Sequence, residues 1–251
     1  MGIGYAVGTL VLALVHVLGG HLNLEDFPHR RRWISVAAGV SVAYVFVDLL
    51  PLMSEKQEAF LAVAEGRGLL APEFRVHLAA LVGFLWFYGL EHFVGSPQET
   101  LPIAEQAAAE RSDQPMHWLH VGGFALYNLM MGYLLIEWSE EPVGLALYCG
   151  ALGLHFLITD DGMRRDYGAT YDRVVRWLMA TCLVAGALVA HFTPLSIGVL
   201  TIVVGVVAGG VVINSVKDEM PSAGGGRFLP FVVGALAYAT LIIVAARLEA
   251  G

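Results

Sequence analysis

Charged residues are scarce in this chain, and their scarcity argues against a soluble protein. Only 14% of the 251 residues are Asp, Glu, Lys or Arg, whereas globular domains carry about 25%. The two cysteines, Cys149 and Cys182, fall inside apolar stretches and have no spacing typical of a disulfide framework or a paired-cysteine metal site. A phosphate-binding loop and a nucleophile elbow are both missing from the sequence. We therefore expect that the chain is not an enzyme of any familiar soluble class.

Long apolar stretches fill most of the chain instead, since 57% of its residues are hydrophobic. A helix of about 20 apolar residues crosses a bilayer core of about 30 Å, and lipid offers no hydrogen bonds to an irregular backbone. The sequence therefore predicts one all-α integral membrane domain over 1–251 with eight transmembrane helices. The first stretch has no basic region before it and no clear cleavage site, so we expect it to be retained. The approximate spans are 2–20, 33–53, 74–95, 117–138, 142–160, 172–192, 195–214 and 227–247.

Basic residues are distributed unevenly between the two sides of this predicted bundle. Ten of them belong to the first, third, fifth and seventh connections or their flanks, and four to the other side. Cytoplasmic loops carry the excess of Lys and Arg, which predicts cytoplasmic odd-numbered connections and both termini outside. Arginine greatly outnumbers lysine, and this composition is typical of bacterial proteins from genomes of high GC content. We therefore expect a bacterial plasma (inner) membrane protein.

Glycine is frequent within the spans, and it recurs in the fourth, fifth and seventh. Examples are Gly122, Gly150 and Gly209. Small residues allow membrane helices to approach one another closely. Helix packing is the simpler explanation, and hinges of a moving transporter are the alternative.

The fourth span carries polar residues where lipid would be expected to exclude them. His120, Tyr127 and Met131 share one helical stripe, and Asn128 lies beside it. An amide at mid-membrane needs hydrogen-bond partners, so Asn128 should face the bundle interior. It either joins helices or lines a polar site, and the sequence leaves both interpretations open.

The fifth span places a histidine close to two carboxylates. His155 and Thr159 share a face, and Asp160 and Asp161 follow one turn later, near the predicted cytoplasmic boundary. A histidine with nearby carboxylates can hold a divalent metal or relay protons. The alternative is a hydrogen-bonded core histidine with two solvated aspartates at the helix end.

Two further ionisable residues complete the candidate set. Asp48 lies in the second span, four residues after Tyr44 and three before Pro51, and His16 lies in the first. Each of these residues alone is more often an interface or hydrogen-bonded residue than a ligand, so the group matters more than any single member. We consider that five residues converge in one polar interior: His16, Asp48, His120, Asn128 and His155.

The pattern resembles the ZIP family of divalent-metal transporters. That family has eight helices, both termini outside and a long cytoplasmic connection between the third and fourth helices. The segment from Ala38 to Pro51 is similar to the family's second helix, and Asp218 to Pro221 with the segment 227–234 is similar to its junction between helices seven and eight. The resemblance implies an eight-helix bundle and transport of zinc or a similar divalent ion, as substrate and not as a resident cofactor.

The family's metal motifs match only in part. Its fourth helix carries His-Asn-x-x-Asp/Glu-Gly, where this chain has Tyr127, Asn128, Met131 and Gly132. Its fifth helix carries His-Glu-x-Pro-His/Glu, of which His155 alone matches. A neutral amide and one imidazole bind a divalent cation poorly, so we expect that the usual two-metal centre is absent. The candidate ligands are therefore His155, Asn128, Asp160, Asp161, His120 and Asp48, with Tyr127, Met131, Thr159 and His16 along the pathway.

Three functional hypotheses follow. The first is a ZIP-like transporter of a divalent metal or another small solute through a non-standard polar site. The second is a non-transporting membrane protein on the same scaffold, such as a sensor, an assembly factor or a partner subunit. The third is a membrane enzyme or proton-relay protein that uses His155 and the two aspartates. The expected partners are the bilayer and a small ion or solute, with no nucleic acid; a homodimer stays open.

Overall fold

A computed structural model describes residues 2–19, 29–63, 72–94, 114–137, 142–219 and 227–249. These residues form helices and short turns, and none of them lies in a β-strand. We number the long helices α1 to α8 in chain order. They are α1 (Ile3–Gly19), α2 (Arg30–Tyr44, continued through a π-helical turn at Val45–Leu49 into Leu50–Val63), α3 (Arg75–Val94), α4 (Gln114–Ile136), α5 (Pro142–Tyr167), α6 (a π-helical turn at Tyr171–Val175 followed by Arg176–Phe192), α7 (Ile197–Glu219) and α8 (Phe228–Glu249).

Six of these helices are long and apolar enough to cross a membrane: α2, α4, α5, α6, α7 and α8. The helix α1 is apolar but has only 17 residues, and α3 is not among the six. The prediction of an all-α protein is therefore confirmed for the described residues, and several apolar helices fit a multi-pass membrane protein. Two helices are longer than the spans predicted within them, because α2 continues beyond 53 to Val63 and α5 continues beyond 160 to Tyr167.

Three pairs of helices are joined by glycines that face the partner's backbone. In the α4–α6 pair, an ideal Cβ on Gly132 would lie 1.9 Å from the carbonyl oxygen of Leu183, and a Cβ on Gly186 would lie 1.9 Å from that of Leu129. Each glycine thus faces the carbonyl three residues before the other glycine. Such close approach permits Cα–H···O contacts between helices.

The same reciprocal arrangement recurs in the other two pairs. Gly39 of α2 and Gly234 of α8 face each other's helix in this way, and so do Gly83 of α3 and Gly209 of α7. In all four cases the ideal Cβ would lie 1.9 to 2.1 Å from a carbonyl oxygen. The two helices of each pair run parallel. An odd number of helices lies between them in the chain, and the two meet at corresponding positions along their lengths. These contacts hold the bundle together without a polar side chain.

The helix α1 lies against α4, α5 and α6, and α5 also lies against α2. Large apolar side chains such as Leu12, Phe156 and Leu183 are fully buried in this region. The outer surfaces of α1, α3 and α8 expose large apolar side chains, as expected of faces that meet lipid. The buried polar residues described below therefore sit inside the bundle and not on its outer surface.

Candidate functional site

A histidine, an aspartate and an asparagine from three different helices meet in the bundle interior. The His16 Nδ1 atom of α1 lies 3.0 and 2.9 Å from the two carboxylate oxygens of Asp160 on α5. The His16 Nε2 atom lies 2.7 Å from the amide oxygen of Asn128 on α4. All three side chains are buried, with at most 2% exposed. We call these three residues the central triad.

The orientation of Asn128 determines where protons lie in the central triad. Its amide nitrogen donates to the backbone carbonyl oxygen of Phe124 at 2.9 Å and lies 3.3 Å from the sulfur of Met179. A carbonyl oxygen only accepts, so the amide oxygen must point at His16, and the His16 Nε2 atom must carry a proton. The Nδ1 atom faces a carboxylate, so one further proton lies between His16 and Asp160. The pair therefore has zero net charge, either as imidazolium and carboxylate or as neutral imidazole and carboxylic acid.

The burial of Asp160 corrects the sequence interpretation of this segment. The alternative of two solvated aspartates at the helix end is wrong for Asp160, because only 2% of it is exposed and α5 continues for seven residues beyond it. Because successive residues of a helix point about 100° apart, Asp160 faces α1 while Asp161 points in another direction and pairs with Arg165 at 3.4 Å. Tyr171 of α6 is buried beside Asp160, although its hydroxyl makes no hydrogen bond of good geometry with a described residue.

A second polar contact lies next to the central triad. The Tyr127 hydroxyl of α4 is 3.3 Å from the His155 Nε2 atom of α5, and both side chains are 2% exposed. Met131, one turn along α4, is also buried. Thr159 donates to the backbone carbonyl oxygen of His155 at 3.0 Å, so its hydroxyl is engaged within its own helix. Tyr127 and His155 thus form a contact of their own, separate from the hydrogen bonds that join the triad among the described residues.

His120 belongs to a third group, where α3 and α5 end and α4 begins. Its Nδ1 atom is hydrogen bonded to the Tyr167 hydroxyl, and its Nε2 atom lies 3.3 Å from a Glu91 carboxylate oxygen. His120 is buried, while 17% of the Glu91 side chain is exposed. This group therefore lies between the interior and the end of the bundle.

A small cavity of about 10 Å³ adjoins this third group, which is about the volume that one water molecule needs. Glu91, His120, Thr159, Asp166 and Asn214 are among the residues that line it. Both polar side-chain atoms of Asn214, on α7, are buried without a hydrogen-bond partner among the described residues. A buried amide without partners costs about 1–3 kcal/mol, so this cavity is suited to a small polar guest.

Asp48 lies apart from all these groups, on the π-helical turn of α2. Its carboxylate accepts a hydrogen bond of 2.8 Å from the Tyr238 hydroxyl of α8. The rings of Tyr44 and Tyr148 lie near this turn, with centroids 5.7 Å apart. A π-helical turn is frequent at functional sites because it reorients side chains.

The five residues expected to converge are therefore distributed over four groups. His16 and Asn128 meet, whereas His155, His120 and Asp48 have separate partners. Within the described part of the chain, no three His, Cys, Asp or Glu side chains are placed to share one metal ion. The metal-ligand assignments thus stay predictions that need side-chain rearrangement. Both cysteines are free thiols, as expected.

Sequence reasoning missed four residues that the structure adds to these groups. The sequence did not distinguish three tyrosines as site residues, because tyrosine is common near membrane surfaces. They are Tyr167, Tyr171 and Tyr238. Asn214 could have been found, since it is an amide in an apolar span and meets the criterion that singled out Asn128.

Comparison with models of known protein families and with curated proteins finds no match to this chain.

Proposed function

We propose that this chain is a ZIP-like transporter of the bacterial inner membrane, with eight spanning helices and both termini outside. It moves a divalent metal ion, or another small solute, through a non-standard polar site. The observation that carries the proposal is the central triad: a proton-sharing His16–Asp160 pair with Asn128, buried among three apolar helices.

The cost of burying such a pair supports a functional role. Removing two charges from water costs several kcal/mol each, on the order of what their attraction returns, and apolar residues of similar volume are often equally stable or better. Inside membranes, ionisable residues are rare and mark ion and proton pathways. The triad is therefore better explained by transport than by stability.

The charge balance of the triad suggests how a cation would be accepted. His16 and Asp160 together carry no net charge and hold one shared proton. A cation that displaced this proton would find the Asp160 carboxylate and the His16 Nδ1 atom, which are ligands that divalent metals use, while Asn128 would hold the ring through Nε2. Loss of a proton would offset part of the incoming charge. The proposed transport cycle is therefore an exchange of cation for proton.

The other groups extend this site toward one end of the bundle. His120, Phe124 and Tyr127 lie on one stripe of α4, while His155, Thr159 and Gly162 lie along α5. Asn214 of α7 lines the cavity beside Thr159. A polar guest that entered between Glu91 and His120 would pass Asn214 before it reached His155. In this proposal the third group forms the entrance or exit on the side of the predicted cytoplasmic connections.

Flux through reconstituted protein tests the proposal. The full chain would be inserted into liposomes that contain a metal-sensitive dye, and uptake of Zn, Cd, Mn, Fe(II), Co and Ni would be measured against protein-free liposomes. We expect saturable uptake of at least one cation, abolished in Asp160→Asn. Asp161→Asn is the matched control and should retain flux, because Asp161 pairs with Arg165 outside the triad. No uptake of any cation, or equal uptake by both variants, would refute the proposed site.

A non-transporting membrane protein is the second candidate, and one observation favours it. Both His16 ring nitrogens and the Asn128 amide already have partners within the triad and its surroundings. A fully satisfied buried network can serve to fix one arrangement of helices. In that case Asp160→Asn would lower stability, and wild-type liposomes would take up no tested cation.

A further inference from the structure

The starts of α2 and α8 form a groove of about 780 Å³ that has no role in the proposed transport path. It is lined by the basic residues His29, Arg32 and Arg227 together with Trp33 and several apolar side chains. We propose that this basic groove binds the headgroup and one acyl chain of an anionic phospholipid.

Charge complementarity is the first argument for a phospholipid. Two arginines, Arg32 and Arg227, line the groove, and among the described ion pairs neither is matched with a carboxylate. Guanidinium binds phosphate in two-pronged geometry. The helices α2 and α8 also begin here, at Arg30 and Phe228, and their N-terminal ends favour an anion.

The apolar part of the groove explains why the ligand is a lipid and not a free phosphate. Val36 and Val233 lie one turn further along their helices and line the same groove. Trp33 is 64% exposed at its rim, which is typical of an indole at headgroup level. Leu229, which also lines the groove, is 71% exposed. An acyl chain would cover this apolar surface, whereas inorganic phosphate would leave it exposed.

The backbone that carries Arg227 is held in position against α2. The backbone N–H of Arg227 donates to the Ser35 hydroxyl at 3.1 Å, and the α2–α8 glycine contact at Gly39 and Gly234 lies just beyond. A site assembled before the ligand arrives loses less entropy on binding. Basic pockets between transmembrane helices are suited to anionic lipid headgroups for these reasons.

Native mass spectrometry of the full chain, purified in an uncharged detergent, tests the proposal. Dioleoyl phosphatidylglycerol and dioleoyl phosphatidylcholine would be added at equal concentration. Because each basic residue near a headgroup contributes a factor of about five, we expect Arg32→Gln/Arg227→Gln to lower the preference for phosphatidylglycerol about 25-fold. Arg31→Gln/Arg173→Gln removes the same charge from exposed positions outside the groove and should change the preference little.

Three results would overturn the proposal. They are no preference in the wild type, an equal loss in both double variants, and displacement of the lipid by inorganic phosphate at millimolar concentration. The last would identify a site for soluble anions. Should the groove variant fail to fold, brominated lipids provide a second test on wild type and Trp33→Phe. Brominated phosphatidylglycerol should quench the Trp33-dependent fluorescence more than brominated phosphatidylcholine does, and equal quenching would contradict the proposal.

Discussion

The glycine contact between α4 and α6 gives a stability prediction whose size follows from distances. In Gly132→Ala, the new Cβ would lie 1.9 Å from the carbonyl oxygen of Leu183, whereas ordinary van der Waals contact begins at 3.4 Å. The neighbour is backbone and cannot rotate away, so the helices must separate by about 1.5 Å, the difference between these two distances. Overpacking costs about 1–3 kcal/mol or more, and a gap of this size weakens dispersion along the contact. We expect the free energy of unfolding to fall by about 3 kcal/mol.

Gly150→Ala is the matched control, because beyond its own stretch of helix no atom of a described residue lies within 4 Å of the ideal Cβ on Gly150. Alanine favours a helix over glycine by about 1 kcal/mol, so this variant should be unchanged or slightly more stable. Both variants would be unfolded with increasing sodium dodecyl sulfate in dodecyl maltoside micelles and followed by circular dichroism. Equal stability of Gly132→Ala and Gly150→Ala would refute the reasoning from close helix approach.

Three further predictions concern the polar groups. Asp160→Ala leaves a buried His16 nitrogen without its partner and should destabilise the fold by about 3–5 kcal/mol in the same unfolding assay, whereas Asp161→Ala should cost less, because its partner Arg165 is 49% exposed. Asn214→Leu replaces a buried amide that has no hydrogen-bond partner among the described residues, so it should stabilise the protein by about 1 kcal/mol. The same variant should slow cation flux in liposomes. Slower unfolding with undiminished flux would show that the cavity is not part of the transport path. Tyr238→Phe removes the hydrogen bond to Asp48 and should cost about 1–2 kcal/mol, and no loss of stability would show that the carboxylate finds another donor.

The helical class and the positions of most helices could be predicted from the sequence, because long apolar stretches have few alternatives in lipid. The ends could not. Helices α2 and α5 continue into segments that contain Glu55, Lys56, Arg164 and Arg165, where hydropathy no longer distinguishes a helix from a connection. A helix needs only satisfied backbone hydrogen bonds to continue beyond the apolar region.

The candidate site was predictable in its residues but not in its pairing. Asn128 and His16 were singled out as polar groups within apolar spans and Asp160 as a carboxylate near the predicted boundary of the fifth span, and the structure brings these three together. The sequence favoured His155 as the partner of the aspartates, since those residues are close along the chain. Contact between α1 and α5 depends instead on how the helices pack, which a single sequence does not encode in any local pattern.

The glycines also show which contacts can and cannot be predicted from the sequence. Gly122 and Gly150 have the same apolar surroundings in the sequence as Gly132 and Gly186. Yet no atom lies within 4 Å of a Cβ on the first two, while the second two face a carbonyl oxygen at 1.9 Å. Lipid-facing and helix-facing surfaces are equally apolar, so composition cannot separate them.

Counting the protons released when a cation binds tests the central claim most directly. The full-length protein, in weakly buffered detergent solution with a pH-indicator dye, would be titrated with each divalent metal, and the released protons would be compared with the metal bound. The shared proton between His16 and Asp160 predicts release of about one proton per cation in the wild type and in Asp161→Asn, and none in Asp160→Asn. Cation binding without proton release, or the same release from Asp160→Asn, would contradict the exchange of cation for proton at the central triad.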